Sequence, residues 1–330
     1  MNNIAFTCGD INGIGPEIVV KAINRILSLN HSGKLYFICP ANVFYNTLKH
    51  VKPHFEFDIL KNLKEDSNQL ISVIDLGNVN QNLGTPGVTS GKTAYLSLIT
   101  AQNLLKSGKA NAVVTAPVSK TAINKAGYKF MGHTELYAKW NNTPNFVMTF
   151  LSQKINAALF TIHCPLKDIH KHLNKRNLEN SINVIHKTLR NDLRISNPRI
   201  AVLGLNPHAG ENGLIGEEEK SIISPVIKKF SKTISIDGPF ASDAFFANRM
   251  FKKFDLTLGM YHDQILIPFK LINFGKGVNY TAGLPIVRTS PDHGVAYDIA
   301  GKYIADESSM VQAYKYARRI IKNRKKIIEN

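Results

Sequence analysis

Three short apolar runs, Ala157 to Thr161, Ile200 to Leu205 and Leu256 to Met260, each lead within a few residues to a histidine: His163, His208 and His262. Runs of this length, rich in Ala, Val, Ile and Leu, read as strands buried on both faces, as in the parallel sheets of α/β proteins. The loops leaving such strands converge beyond the carboxyl ends, and ligands bind there. Apolar run followed by histidine, three times over, therefore constrains both the fold and the place where its chemistry lies. Imidazole is the commonest metal ligand, and three of them leave a divalent cation a position open for substrate. The spacing matches no zinc-finger pattern, so a metal reading rests on the repeated context, and each histidine taken singly also suits a hydrogen-bonded structural role. The third run is the richest in polar groups, because Tyr261, His262, Asp263 and Gln264 stand side by side before an apolar stretch ending at Lys270.

Strand and helix patterns alternate along the remaining chain. Strands are predicted at Ile4 to Phe6, Leu35 to Cys39, Leu70 to Asp75 and Ala112 to Ala116, with a polar, irregular segment before Leu70. Helices are predicted at Thr93 to Ser107 and at Asn177 to Leu193, the latter with apolar residues on one face. Thr7 to Glu17, with Gly9, Gly13, Gly15 and Pro16, opens a helix and reads either as an anion cradle or as a tight structural turn; it is not a GxGxxG fingerprint. His133 precedes Thr134, a candidate helix N-cap, at a position that suits a phosphate or carboxylate and equally an ordinary helix start. Glu217 to Glu219 complement a helix dipole, and Asp237 to Phe246 is a loop leading into a helix. Asp243 there is either a helix N-terminal carboxylate or a partner for a metal-binding histidine. Lys270, Asn279 and Arg288 lie in apolar or glycine-rich surroundings, where Arg suits bidentate anion capture and Lys a point charge.

A formal charge of +17 suits nucleic acid, an acidic membrane or a small anionic substrate. No aromatic–basic recognition motif or helix-turn-helix pattern accompanies it, so no nucleic-acid partner is expected. No apolar run approaches the ~18–20 residues of a membrane span, and a motif already begins at Thr7, which predicts a cytoplasmic protein without a membrane partner. Cys8, Cys39 and Cys164 lack any CxxC spacing, and Cys164 reads more simply as a small buried residue at a strand end than as a nucleophile.

Six motifs then occur in order: Gly-Asp-Ile-Asn-Gly-Ile-Gly-Pro-Glu from Gly9, Thr-Ala-Pro-Val-Ser-Lys from Thr115, Gly-His-Thr-Glu from Gly132, Asn-Pro-His-Ala-Gly-Glu from Asn206, Met-Tyr-His-Asp-Gln from Met260 and Arg-Thr-Ser-Pro-Asp-His-Gly from Arg288. Together they resemble the 4-hydroxythreonine-4-phosphate dehydrogenase family of vitamin B6 biosynthesis. Two local departures stand out: Ile11-Asn12 replaces a pair of small residues, and Ile265-Leu266-Ile267 replaces a glycine-containing run. The resemblance implies an α/β fold like isocitrate and isopropylmalate dehydrogenases, with two α/β/α domains flanking a cleft, drawn here as residues 1–130 plus 300–330 and residues 131–299. The second domain would carry the metal site and the interface of a homodimer whose subunits share the active site. His163, His208 and His262 become ligands of a divalent metal (Zn, Mg or Co), and His133, Thr134, Lys270, Asn279 and Arg288 contact a phosphorylated substrate. The cofactor is NAD or NADP, at residues the motifs do not identify; Asp243 and Asp263 are candidates for the catalytic base. The implied reaction is oxidation of 4-phosphooxy-L-threonine followed by decarboxylation. Other four-carbon acid phosphates, or a non-redox metal-dependent phosphoester hydrolysis, are the competing readings.

Overall fold

Strands form where β-branched and other apolar residues are buried on both faces. A computed structural model describes residues 2–29, 31–273 and 275–328. It places strands at β1 Ile4–Thr7, β2 Leu35–Ile38, β3 Phe57–Leu60, β4 Ile71–Ile74 and β5 Ala112–Val114, followed by β6 Val147–Leu151, β7 Ala157–Leu159, β8 Arg199–Leu203, β9 Ser235–Phe240, β10 Leu256–Gly259, β11 Val278–Ala282 and β12 Val287–Pro291. The chain divides into two compact units, Met1–Tyr137 with Ile286–Lys322, and Ala138–Pro285 with Asn323–Asn330. The sequence reading places these divisions at 130/131 and 299/300. Because β12 pairs with β5, residues 287–291 go with the first unit.

In the first unit the strands run in the order β3-β4-β2-β1-β5-β12, all parallel. The helix Gly15–Leu27 follows β1 directly, and Ile18, Val19, Ala22, Ile23 and Ile26 are completely buried. Pro16 falls in its first turn, where a missing N–H costs nothing.

The second unit is mixed, in the order β11-β6-β7-β10-β8-β9. β6 runs antiparallel to both β11 and β7, whereas β7, β10, β8 and β9 are mutually parallel. Phe150, Leu159, Phe245, Ile265 and Phe269 form part of its core. The tail is attached by charge: Asp192, 5 % exposed, accepts from Arg324 Nε at 2.7 Å and Nη2 at 3.1 Å, and from Tyr280 Oη at 2.5 Å. Arg324 is held above its ordinary pKa, because Tyr280 and Asp192 together outweigh its burial.

Two strands contradict the sequence reading, and three more, β6, β11 and β12, lie where it assigned no strand. β3 lies in the segment read as irregular, and β9 occupies residues read as a loop. The helix Val88–Lys106 begins five residues before Thr93. Among the described residues no helix is long and apolar enough to cross a membrane.

Candidate active site

β7, β10 and β8 are adjacent and parallel, with Leu159 opposite Gly259 and Leu258 opposite Val202. Their carboxyl ends therefore lie side by side, and the loops leaving them carry His163, His262 and His208. His262 opens the helix His262–Asn273 and is half-exposed. Its Nδ1 lies 2.7 Å from Asp263 Oδ1, so the carboxylate favours one orientation of the ring. A carboxylate behind one ring nitrogen is a recurrent support for a metal-binding imidazole.

Gln264 fastens this edge together. Its Oε1 accepts from Met260 N at 2.6 Å, and its Nε2 donates to Gly204 O at 2.6 Å and to Ser242 Oγ at 2.7 Å, so one amide ties the ends of β10 and β8 to the helix Ser242–Ala247. A hollow of about 290 Å³ opens there, lined by Asn206, His208, Ser242, Asp243, Tyr261 and Gln264 among others. Asp243 thus faces the same space as His208, whereas Asp263 is exposed beside His262. Thr161 is pinned by its hydroxyl to Met260 O at 2.6 Å, just before His163.

His208 belongs to an unusual turn. Residues 208 to 213 all have left-handed backbone, with φ of 52, 52, 77, 42, 59 and 100°. For residues other than glycine that conformation costs about 1–2 kcal/mol each, so surrounding contacts must impose it.

Among the described residues, no group of three or more His, Cys, Asp or Glu side chains is close enough to hold a metal ion. The three histidines follow the carboxyl ends of adjacent strands without closing a coordination sphere around a point. Their chemistry nevertheless fits a divalent cation: imidazoles from adjacent loops, one already oriented by a carboxylate.

The first unit holds the other part of the expected set. Arg288, on β12, is 1 % exposed and donates from Nε and Nη2 to Thr115 Oγ1 at 3.1 and 2.8 Å and from Nη2 to Ser290 Oγ at 2.8 Å. Burial lowers its guanidinium to about 10, against the raising influence of Tyr137 and Glu135. His133 is half-buried, edge-on to Phe130 at 5.6 Å, but its Nε2 is shut off from water and has no hydrogen-bond partner. Desolvation holds the imidazole well below its ordinary pKa, assisted by the charges of Arg288 and Lys120. A buried ring nitrogen without a partner, close to two cations, suits an anionic ligand carrying hydrogen-bonding oxygens. Thr134 is also buried, but the helix His133–Trp140 begins before it, so Thr134 lies in the first turn and is not the cap. Of the remaining candidates, Lys270 is exposed and Asn279 half-buried, both in the second unit.

The glycines of the Thr7–Glu17 loop serve close packing. A Cβ on Gly15 would lie 2.1 Å from Cys8 O, and one on Gly13 would lie 2.6 Å from Val295 O. The loop also buries Asp10, whose carboxylate accepts from Asn12 N at 2.9 Å, Ser90 Oγ at 3.1 Å and Tyr297 Oη at 2.8 Å. Burial raises the Asp10 pKa, and these three donors only partly oppose it. Sequence reasoning did not single out Asp10 or Tyr297, nor the bracing role of Gln264.

Residues 31–317 match the model of the family described as pyridoxal phosphate biosynthetic protein PdxA. A relative from Sulfurihydrogenibium sp. (strain YO3AOP1), named 4-hydroxythreonine-4-phosphate dehydrogenase, is 38% identical over 96% of this chain and 98% of its own. The crystal structure of a 4-hydroxythreonine-4-phosphate dehydrogenase from Klebsiella pneumoniae is 34% identical, with a TM-score of 0.81, covering 97% of this chain and 100% of that one. An isocitrate dehydrogenase from Methylococcus capsulatus, 14% identical with a TM-score of 0.51 over 98% of this chain and 87% of its own, shares the fold alone.

Proposed function

Because this chain belongs to the PdxA family of pyridoxal phosphate biosynthetic proteins, we propose that it is an NAD(P)-dependent dehydrogenase that oxidises the C3 hydroxyl of 4-phosphooxy-L-threonine. The C3 hydride passes to the nicotinamide and the hydroxyl proton to a base, giving 2-amino-3-oxo-4-phosphooxybutanoate. That β-keto acid loses carbon dioxide and takes up a proton to give 3-amino-2-oxopropyl phosphate. The observation that carries this reading is that the adjacent parallel strands β7, β10 and β8 each lead, at their carboxyl ends, to one of His163, His262 and His208.

His163, His208 and His262 would hold a divalent cation, zinc, magnesium or cobalt. Such an ion supplies Lewis acidity, which makes the hydroxyl easier to deprotonate and offsets negative charge developing on oxygen. His133, kept neutral by burial, offers a ring nitrogen to a substrate oxygen, and Arg288 supplies charge beside it. Thr134, Lys270 and Asn279 complete the proposed substrate contacts, and binding energy spent on the anions orients the C–H bond for hydride departure. Asp243 is the stronger candidate for the base, since it shares a hollow with His208, while Asp263 is engaged in orienting His262.

The proposed assembly is a homodimer with a shared site. Each histidine loop leads to a large exposed apolar side chain: Leu166 at 70 %, Leu214 at 81 % and Ile267 at 59 % exposure. A second copy covering these loops would remove them from water and add donors beside the histidines.

Nicotinamide absorbance tests the proposal, using 4-phosphooxy-L-threonine with NAD or NADP, metal-free protein before and after zinc, magnesium or cobalt is restored, and His262→Ala. The expected outcome is metal-dependent reduction that falls at least about 100-fold in the variant. No reduction by folded, dimeric protein with any metal or either nicotinamide would sink it. Other four-carbon acid phosphates and then phosphate release would be the next assays.

A further inference from the structure

Beneath the left-handed turn that presents His208 sits a carboxylate that the function just proposed does not use. Glu219 is 4 % exposed and reaches back from its own helical segment to the end of β8. Its Oε1 accepts from the backbone N–H groups of Leu205 at 2.7 Å and Asn206 at 2.8 Å, and its Oε2 accepts from Asn206 Nδ2 at 2.9 Å. Glu218 Oε2 accepts from the same Asn206 amide at 2.8 Å. The fit is tight: a Cβ added at Gly210 would lie 2.6 Å from Glu219 Oε2, and one at Gly204 would lie 3.0 Å from Oε1.

We propose that Glu219 is a positioning residue for His208: its buried carboxylate fixes residues 204–206 and supports residues 208–213 in their left-handed course, so that the imidazole is presented beyond the end of β8. The inference rests on the metal-site reading above for its functional consequence, but its structural part stands apart from any metal. From the sequence, Glu217 to Glu219 are equivalent acids complementing a helix dipole. The structure separates them. Only Glu219 places both oxygens on the segment just before His208, and a dipole role predicts no particular effect there. A residue that orients a metal ligand is typically worth about 10–100-fold in metal affinity.

The test compares wild type with Glu219→Ala, Glu219→Gln and Glu217→Ala in two assays on the dimeric, metal-free protein: zinc affinity by competition with a chromophoric chelator, and backbone amide exchange. Glu219→Ala is expected to bind zinc about 10–100-fold more weakly and to exchange faster at Leu205, Asn206 and residues 208–213, with the rest of the fold protected as before. Glu219→Gln should fall between, because its carbonyl can still accept from Leu205 N and Asn206 N while its NH₂ opposes the Asn206 amide. Glu217→Ala should match wild type. Wild-type zinc affinity and local protection in Glu219→Ala would overturn the proposal, as would a loss of protection spread evenly over the unit. If wild type binds zinc no better than His208→Ala, the metal reading fails by itself. Exchange at 205–213 then decides, and unchanged protection in Glu219→Ala overturns the positioning role.

Discussion

His133 should make the protein lose stability in acid, by an amount that can be worked out. Its imidazole is held well below the ordinary value of 6.5, by burial first and by the neighbouring charges of Arg288 and Lys120 second. In the unfolded chain the ring titrates normally, so below about pH 6.5 the unfolded state binds a proton that the folded state refuses. Stability contributed by the neutral ring is thus fully present above 6.5 and is lost as pH falls toward the folded value. Between pH ~7.5 and ~5.5, while the folded ring stays neutral, this removes about 1.4 kcal/mol. His133→Asn keeps a polar side chain and removes the titration. The assay is urea unfolding of both proteins at the two pH values in a buffer without phosphate. Wild type should lose about 1.4 kcal/mol more than the variant. His31 and His186 are also depressed by burial, but they are common to both proteins and cancel. Equal losses in the two proteins would refute the reasoning, because they would mean that His133 takes up its proton as readily folded as unfolded.

Tyr280→Phe removes the hydroxyl that donates to Asp192 at 2.5 Å in a buried network with Arg324, and should cost about 1–3 kcal/mol in denaturant unfolding; a change inside a few tenths would count against that network. Gly15→Ala places a methyl 2.1 Å from the Cys8 carbonyl and should destabilise by about 1–3 kcal/mol or more, whereas Gly294→Ala, with nothing within 4 Å, should lie close to wild type; similar midpoints for the two would overturn the steric account.

The strands that carry the histidines were legible because Ala157–Leu159 and Leu256–Gly259 are buried throughout, and burial on both faces writes an unbroken apolar run into the sequence. β3 and β9 were not. Phe57–Leu60 is an edge strand with an exposed Asp58, and Ser235–Phe240 contains Gly238 and Pro239, residues that argue for a turn and are tolerated because this strand, too, lies at a sheet edge. At the site, the order of apolar run and histidine located three side chains, but the sequence left open whether each was a ligand or a structural residue. His133 and Arg288 lie far apart in the chain, and only the fold shows that one is buried within reach of the other's charge. Gln264 and Glu219 were invisible as braces for a simpler reason. What they do is defined by carbonyl and amide groups on other loops, and a side chain's own sequence neighbours carry no record of those partners.

The pairing of β12 with β5 also sets a timetable for the nascent chain. Thr115 and Arg288, which meet through the guanidinium in the finished protein, are 173 residues apart. At roughly 5–20 residues per second, a ribosome needs about ten to thirty-five seconds to pass from one to the other. Throughout that interval β5 has an unpaired edge, and the first unit cannot complete its sheet. The second unit's strands all emerge before β12 does. The later part of the chain can therefore reach a near-finished sheet while the earlier part still waits, with β5 as the strand most open to mispairing during synthesis.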